Sequence, residues 1–185
     1  MNCCNGGDDY LSLISKQKRY EIRRSEKNRY IAQKEELSYD NYWDFFSYSY
    51  SLRNRTPDYS KEKMERLFNA ACDNNSMCLY TLRNQEKIVA TSILLFDTRR
   101  SFVMFNTFDP TNKQITGASL TYAGIVDVFS NGLIYDFEGS MISSVAQYYR
   151  EFNGTPEPYF VITNYSRRYK MRKNIKECIR LIKPM

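Results

Sequence analysis

Three runs, MCLYTLR (77–83), KIVATSILLF (87–96) and SFVMFNTF (101–108), decide the fold. Each is rich in β-branched, aromatic and aliphatic residues, and none shows the 3.6-residue spacing of a helix. The separators, Asn84-Gln85-Glu86 and Asp97-Thr98-Arg99-Arg100, have hairpin length. The spacing therefore predicts an antiparallel meander at the centre of the chain.

Outward from that meander the pattern turns helical. Downstream, Asp109-Pro110-Thr111-Asn112 breaks the chain, and a helix is expected from about Gly117 to Phe129, ended by Asn131-Gly132. Leu133–Phe137 reads as a short buried strand, and Ser140 as the cap of a helix over 141–152. Pro158–Asn164 reads as a last strand. Upstream, residues 9–27 read as one helix with Leu11, Ile14, Lys18 and Ile22 on a stripe, and 29–36 as a short strand. Ser38 or Asp40 would cap a helix to Leu52, and Ser60 one to Cys72. A helical crossover between the fourth and fifth strands requires a parallel pair at one edge of an otherwise antiparallel sheet. The expected class is α/β (α+β), a mixed sheet with helices on both faces. The division is residues 1–8 as a disordered start, 9–165 as one domain and 166–185 as a basic helix or tail.

The chain has 185 residues, with 16 tyrosines, 11 phenylalanines, one tryptophan and no histidine. The missing histidine excludes a Ser-His-Asp triad, a Cys-His pair and an HExxH zinc site. Proton transfer is left to Asp, Glu, Tyr, Cys or Lys. The five cysteines form no CxxC pair, which fits reduced thiols in a cytoplasmic protein and gives no reason to expect a metal. No apolar run approaches the roughly 20 residues of a membrane span. The start, MNCCNGGDDY, lacks the basic and apolar regions of a signal peptide.

Charge is uneven along the chain. Residues 16–30 carry seven cations against two acids, and 166–185 carry eight against one. With a net charge of +6, the rest of the chain is acidic by about the same amount. Basic ends of this kind suit phosphate, tRNA or another polyanion.

Particular residues resemble a known family. KQKRYEIRRS (16–25) is similar to the basic entry helix "R-x-x-I-R-K-A" of Fem-type aminoacyltransferases. Gly117-Ala118-Ser119-Leu120 opens the helix after the fourth strand, where such folds hold a phosphate. YDFEGSM (135–141), followed by YYREF (148–152), resembles the "DFEGS…FYRxFG" signature of GNAT-like proteins common in Bacteroidetes. The resemblance covers about residues 11–165 and implies a GNAT-like acyltransferase domain. Such enzymes bind the CoA pyrophosphate with a Q/R-x-x-G-x-G/A turn. Here Gln114 and Gly117 keep two positions, and Ser119 stands at the last.

The resemblance also implies a site. The fourth and fifth strands would splay to admit a thioester, with a backbone N–H among Phe105, Asn106 and Thr107 as oxyanion donor. The N–H groups of Gly117, Ala118 and Ser119 would meet the pyrophosphate of acetyl-CoA or another acyl-CoA. Glu138 is the candidate base, with Asp136 beside it as a further candidate proton carrier, or as anchor or partner of an arginine. Tyr148 or Tyr149 is the candidate acid. Arg150, Tyr42 and Trp43 are candidate substrate contacts, although helical spacing makes the aromatic run 39–50 mainly core. Fem-type proteins carry two GNAT-like halves and this chain has length for one. A homodimer or a second GNAT-like domain would restore the pair. The alternatives are a non-catalytic GNAT-like domain for assembly or binding, and a phosphate- or RNA-binding module.

Overall fold

The computed structural model describes residues 7–115, 117–160, 162, 164–169 and 171–172, and falls into two units divided after Thr155. The first unit runs α1 (Gly7–Leu13), α2 (Lys16–Lys27), β1 (Tyr30–Lys34), α3 (Tyr39–Ser51) and α4 (Lys61–Asp73). It continues β2 (Met77–Asn84), β3 (Lys87–Phe96), β4 (Arg100–Phe108), α5 (Ala118–Ser130), β5 (Ile134–Asp136) and α6 (Ser143–Glu151). The sheet order is β1-β2-β3-β4-β5, antiparallel throughout except for the parallel β4–β5 pair. The meander and the crossover through α5 stand as the sequence predicts.

Two cores sandwich the sheet. On one face Tyr39, Tyr42, Phe46, Met64 and Phe68 of α3 and α4 pack on Leu79 and Ile93. On the other, Ile22, Leu120, Ile125 and Val128 of α2 and α5 meet Tyr80, Leu82, Ala90 and Leu94. Each fully buried large side chain contributes about 1.5–3 kcal/mol of burial free energy. Helix starts follow the capping rule: the hydroxyls of Ser15, Ser38 and Ser60 accept from Lys18, Asn41 and Lys63 N–H.

The ends of the unit depart from expectation. The single helix over 9–27 is two, because Ser15 caps a new start and its own N–H donates to Glu151 O at 2.8 Å. The helix expected from 141 starts at Ser143 instead. Ser140 Oγ accepts from Ile142 N–H in a local turn, and Met141 is 99% exposed rather than packed. In the second unit, none of the described residues of 158–164 is in a strand. Tyr165 and Tyr169 stack there at 4.7 Å, and Ser166 Oγ accepts from Tyr169 N–H at 3.3 Å. Residues 1–6 of the expected disordered start and 173–185 of the expected basic tail lie outside the described residues.

Candidate active site

β5 pairs with only the first three residues of β4, at Arg100↔Ile134, Ser101↔Tyr135 and Phe102↔Asp136. The rest of β4, Val103–Phe108, keeps β3 on one side and has no β5 partner on the other. Alternate residues of a strand direct N–H and C=O to that open edge. The register with β3 also shifts here: Ile93 opposes Phe105, and Leu94 opposes Val103. Met104 is therefore the extra residue of a β-bulge, which re-aims the backbone beside the open edge. No sequence signal marks this bulge. It lies next to the Phe105–Thr107 stretch expected to hold the oxyanion donor. Of those three residues, Asn106 is exposed, Thr107 is buried, and Phe105 packs against Phe46 at 5.9 Å.

Across the opening the chain leaves β5 in an unusual backbone. Glu138 has φ 61° and Gly139 φ 77°, so two consecutive residues are left-handed, the first of them not glycine. The turn is held from behind. Asp136 Oδ1 accepts from Glu138 N–H at 2.8 Å, and Asp136 Oδ2 accepts from Arg100 Nη1 at 3.2 Å. Asp136 is thus spent on positioning. Its expected alternation with Glu138 on one strand face fails because the strand ends at Asp136. Glu138 is exposed beyond it. A left-handed non-glycine residue costs on the order of 1 kcal/mol, and such strain concentrates at functional sites.

The two tyrosines of α6 separate by surroundings. Tyr148 shares a hydrogen bond with Thr121 Oγ1 at 2.9 Å, and its ring carries Lys18 Nζ at 4.5 Å. Burial pushes its phenol well above the usual tyrosine range. It is a packing residue under α5. Tyr149 is half-buried and stacks on Phe137 at 4.6 Å. Burial raises its pKa, and the Glu138 carboxylate raises it further. Tyr149 therefore stands beside the candidate base as a phenol that keeps its proton. Gly154 N–H donates to Tyr149 O at 3.0 Å, and a Cβ at Gly154 would lie 2.8 Å from that oxygen. Gly154→Ala should cost about 1–3 kcal/mol by overpacking against backbone, read as a lower melting temperature. An unchanged melting temperature would mean that the 153–154 turn does not hold Tyr149.

The start of α5 forms the floor. Thr121 N–H makes the first bond within the helix, to Gly117 O at 3.0 Å, and no side chain caps the terminus. Ser119 Oγ is buried there with no partner among the described residues. Gly117 serves packing on its Cα side: a Cβ there would meet the Phe108 ring at 3.1 Å and the Tyr148 hydroxyl at 3.2 Å. Gln114 is exposed in the loop before the helix, and its N–H bonds Asn112 Oδ1 at 3.1 Å.

Other candidates sit elsewhere. Tyr42 has 0% exposure, and its hydroxyl lies beside Thr107 inside the core, so it does not reach a substrate. Trp43 is half-buried against Tyr39 and Phe46. Arg150 is exposed, with no ion pair among the described residues. The basic segment 16–30 loses two cations to structure. Lys18 is buried against Glu21 at 2.9 Å and Glu151 at 3.2 Å. Arg19 donates to Ser12 O and Ile14 O at the end of α1. Among the described residues no cluster of three or more metal-ligating side chains forms, and no helix is long and apolar enough to cross a membrane.

A mixed sheet whose parallel edge pair splays beside a bulge, with an uncapped helix start beneath, is an acyltransferase architecture. The chain belongs to the GNAT family: residues 14–140 match its acetyltransferase (GNAT) domain model. No curated protein matches the chain. Among solved structures it is similar to FemX, with TM-score 0.63 and 10% identity over 80% of this chain and 56% of that one. It is also similar to a conserved protein of unknown function from Bacteroides thetaiotaomicron, with TM-score 0.59 and 17% identity over 81% and 54%. A third similar structure is a "predicted acetyltransferase with acetyl-CoA" from Clostridium acetobutylicum, with TM-score 0.53 and 11% identity over 72% and 96%. The chain thus spans about half the length of FemX and of the Bacteroides protein. The resemblance to Fem-type proteins holds at the level of fold.

Proposed function

We propose that this domain is an N-acyltransferase that moves an acyl group from an acyl-CoA thioester to an amine, with Glu138 as base and Tyr149 as acid. The observation that carries the reading is the open, bulged edge of β4 together with a glutamate held in left-handed backbone just past the end of β5. The acyl-CoA is a substrate. The residues present suit it: an uncapped helix start for the pyrophosphate, an orphan Ser119 hydroxyl beside it, and edge groups of β4 that β5 does not pair for the pantetheine amides.

The amine nitrogen attacks the thioester carbon, and an edge N–H of β4 stabilises the resulting oxyanion. The C–N bond forms as the amine proton passes to the Glu138 carboxylate. The C–S bond then breaks, and the departing thiolate takes a proton from Tyr149. Solvent restores both side chains. Positioning supplies much of the rate, so neither histidine nor metal is required.

Isothermal calorimetry with acetyl-CoA tests the reading. A dissociation constant between about 1 μM and 1 mM is expected for a working donor. No heat at millimolar concentration would sink it.

A second reading is favoured by the coverage of only about half of FemX. In it the domain works as one of a pair, through a second copy or another GNAT-like domain. Gel filtration at one-subunit mass counts against the homodimer. An aminoacyl-tRNA donor held by the basic ends requires an affinity that falls steeply with salt.

A further inference from the structure

The open edge of β4 is not equally approachable from both faces of the sheet. On the α5 face, Gly117 is packed against Phe108 and Tyr148. On the other face the edge is bordered by the loop between α3 and α4, residues 52–60. Arg53 Nη2 donates to Phe108 O at 3.3 Å, at one end of the open stretch. Tyr59 sets its ring edge-on to Phe105 at 6.0 Å, next to the bulge. The loop therefore runs along the stretch of β4 where the thioester carbon would sit, on the side from which an acceptor must arrive.

The loop's charge is selective. It carries Arg53 and Arg55 against the single acid Asp58. Both arginines are exposed, and the Arg55 guanidinium has no ion pair among the described residues. Their backbone is fixed. Asn54 is left-handed at φ 53°, Asn54 N–H bonds Ser51 O at 2.9 Å, and Arg55 N–H bonds Tyr50 O at 3.1 Å. These paired bonds are the Schellman ending of a helix, so the backbone that carries the two arginines follows a set course. Arg53 turns toward β4 and not back onto the carbonyls of α3. The Arg53 fork lies at one end of the open stretch, Arg55 follows two residues on in the same loop, and guanidinium forks match the planar oxygens of a carboxylate or phosphate.

We propose that Arg53 and Arg55 select an acceptor amine that also carries an anionic oxygen group, a carboxylate or a phosphate. The proposal rests on the acyltransferase reading above, and acetyl-CoA calorimetry on the full chain is run first to test that reading separately. Acetyl transfer is then followed by thiol release with two matched pairs: L-lysine against 1,5-diaminopentane, and glucosamine 6-phosphate against glucosamine. The anionic member of at least one pair should be the better substrate, and the pair that discriminates tells carboxylate from phosphate. Arg55→Ala should cut that preference about tenfold, the value of one charge-assisted contact, through KM and not kcat. Arg66→Ala, on the exposed side of α4, should keep the wild-type preference. Equal use of both members of each pair overturns the proposal. So does a failure to acetylate any of the four amines while acetyl-CoA binds. An Arg55→Ala effect on acetyl-CoA affinity in place of amine preference overturns it too, since the arginine would then serve the donor.

Discussion

Glu138→Gln should lower acyl transfer by about 10²–10⁴-fold, the range for a positioned general base, while the protein stays folded. The side chain is exposed and makes no side-chain hydrogen bond among the described residues, so its amide costs the fold within about 0.5 kcal/mol. What the fold invests is in the backbone. Arg100 holds Asp136, and Asp136 holds the Glu138 N–H in a conformation that glutamate seldom adopts. The amide variant keeps that backbone and removes only the proton acceptor. Acetyl-CoA affinity should stay near the wild-type value, which separates loss of chemistry from loss of binding. A variant as active as the parent would remove Glu138 as base and leave the left-handed turn a purely structural feature.

How far the sequence reaches depends on which forces set each feature. The meander, the crossover helix and the caps at Ser38 and Ser60 are local, written in period, turn length and serine placement. They appear in the structure within a residue or two. The motif around Asp136-Phe137-Glu138 coincides with the turn whose backbone is left-handed. The bulge at Met104 does not show in the sequence, because it arises from the register between two strands and leaves no residue preference behind. The left-handed φ of Glu138 is equally hidden; only the neighbouring Gly139 hints at a turn. Tyr148 and Tyr149 are indistinguishable by type, and only packing under α5 sends one to Thr121 and leaves the other beside Glu138. Ile14-Ser15 splits a helix that periodicity joins, because a distant carbonyl, Glu151 O, claims the Ser15 N–H.

Phe46→Ala should cost about 3–5 kcal/mol, the usual loss for deleting a buried aromatic ring. At 2% exposure Phe46 is among the most enclosed large side chains of the α3–α4 core. Its ring contacts Tyr50 at 4.8 Å, Trp43 at 5.6 Å, Tyr42 at 5.7 Å and Phe105 at 5.9 Å. Aromatic pairs at such distances add roughly 0.5–1.5 kcal/mol each beyond burial. For a chain of this size the melting temperature should fall by roughly 10 °C. The effect should also reach the site, since the Phe105 contact joins α3 to the bulged part of β4. At a temperature where the variant remains folded, acetyl-CoA should bind more weakly, because the void lies behind the strand edge proposed to receive it. Phe46→Leu, which keeps most of the volume, should recover most of the stability. If Phe46→Ala melts near the wild type, the aromatic run of α3 is not the core that supports β4. If it melts low but binds acetyl-CoA normally below the transition, the bulge is held by β3 alone. Normal binding in a destabilised variant would therefore assign the geometry of the oxyanion edge to strand pairing and not to packing from above.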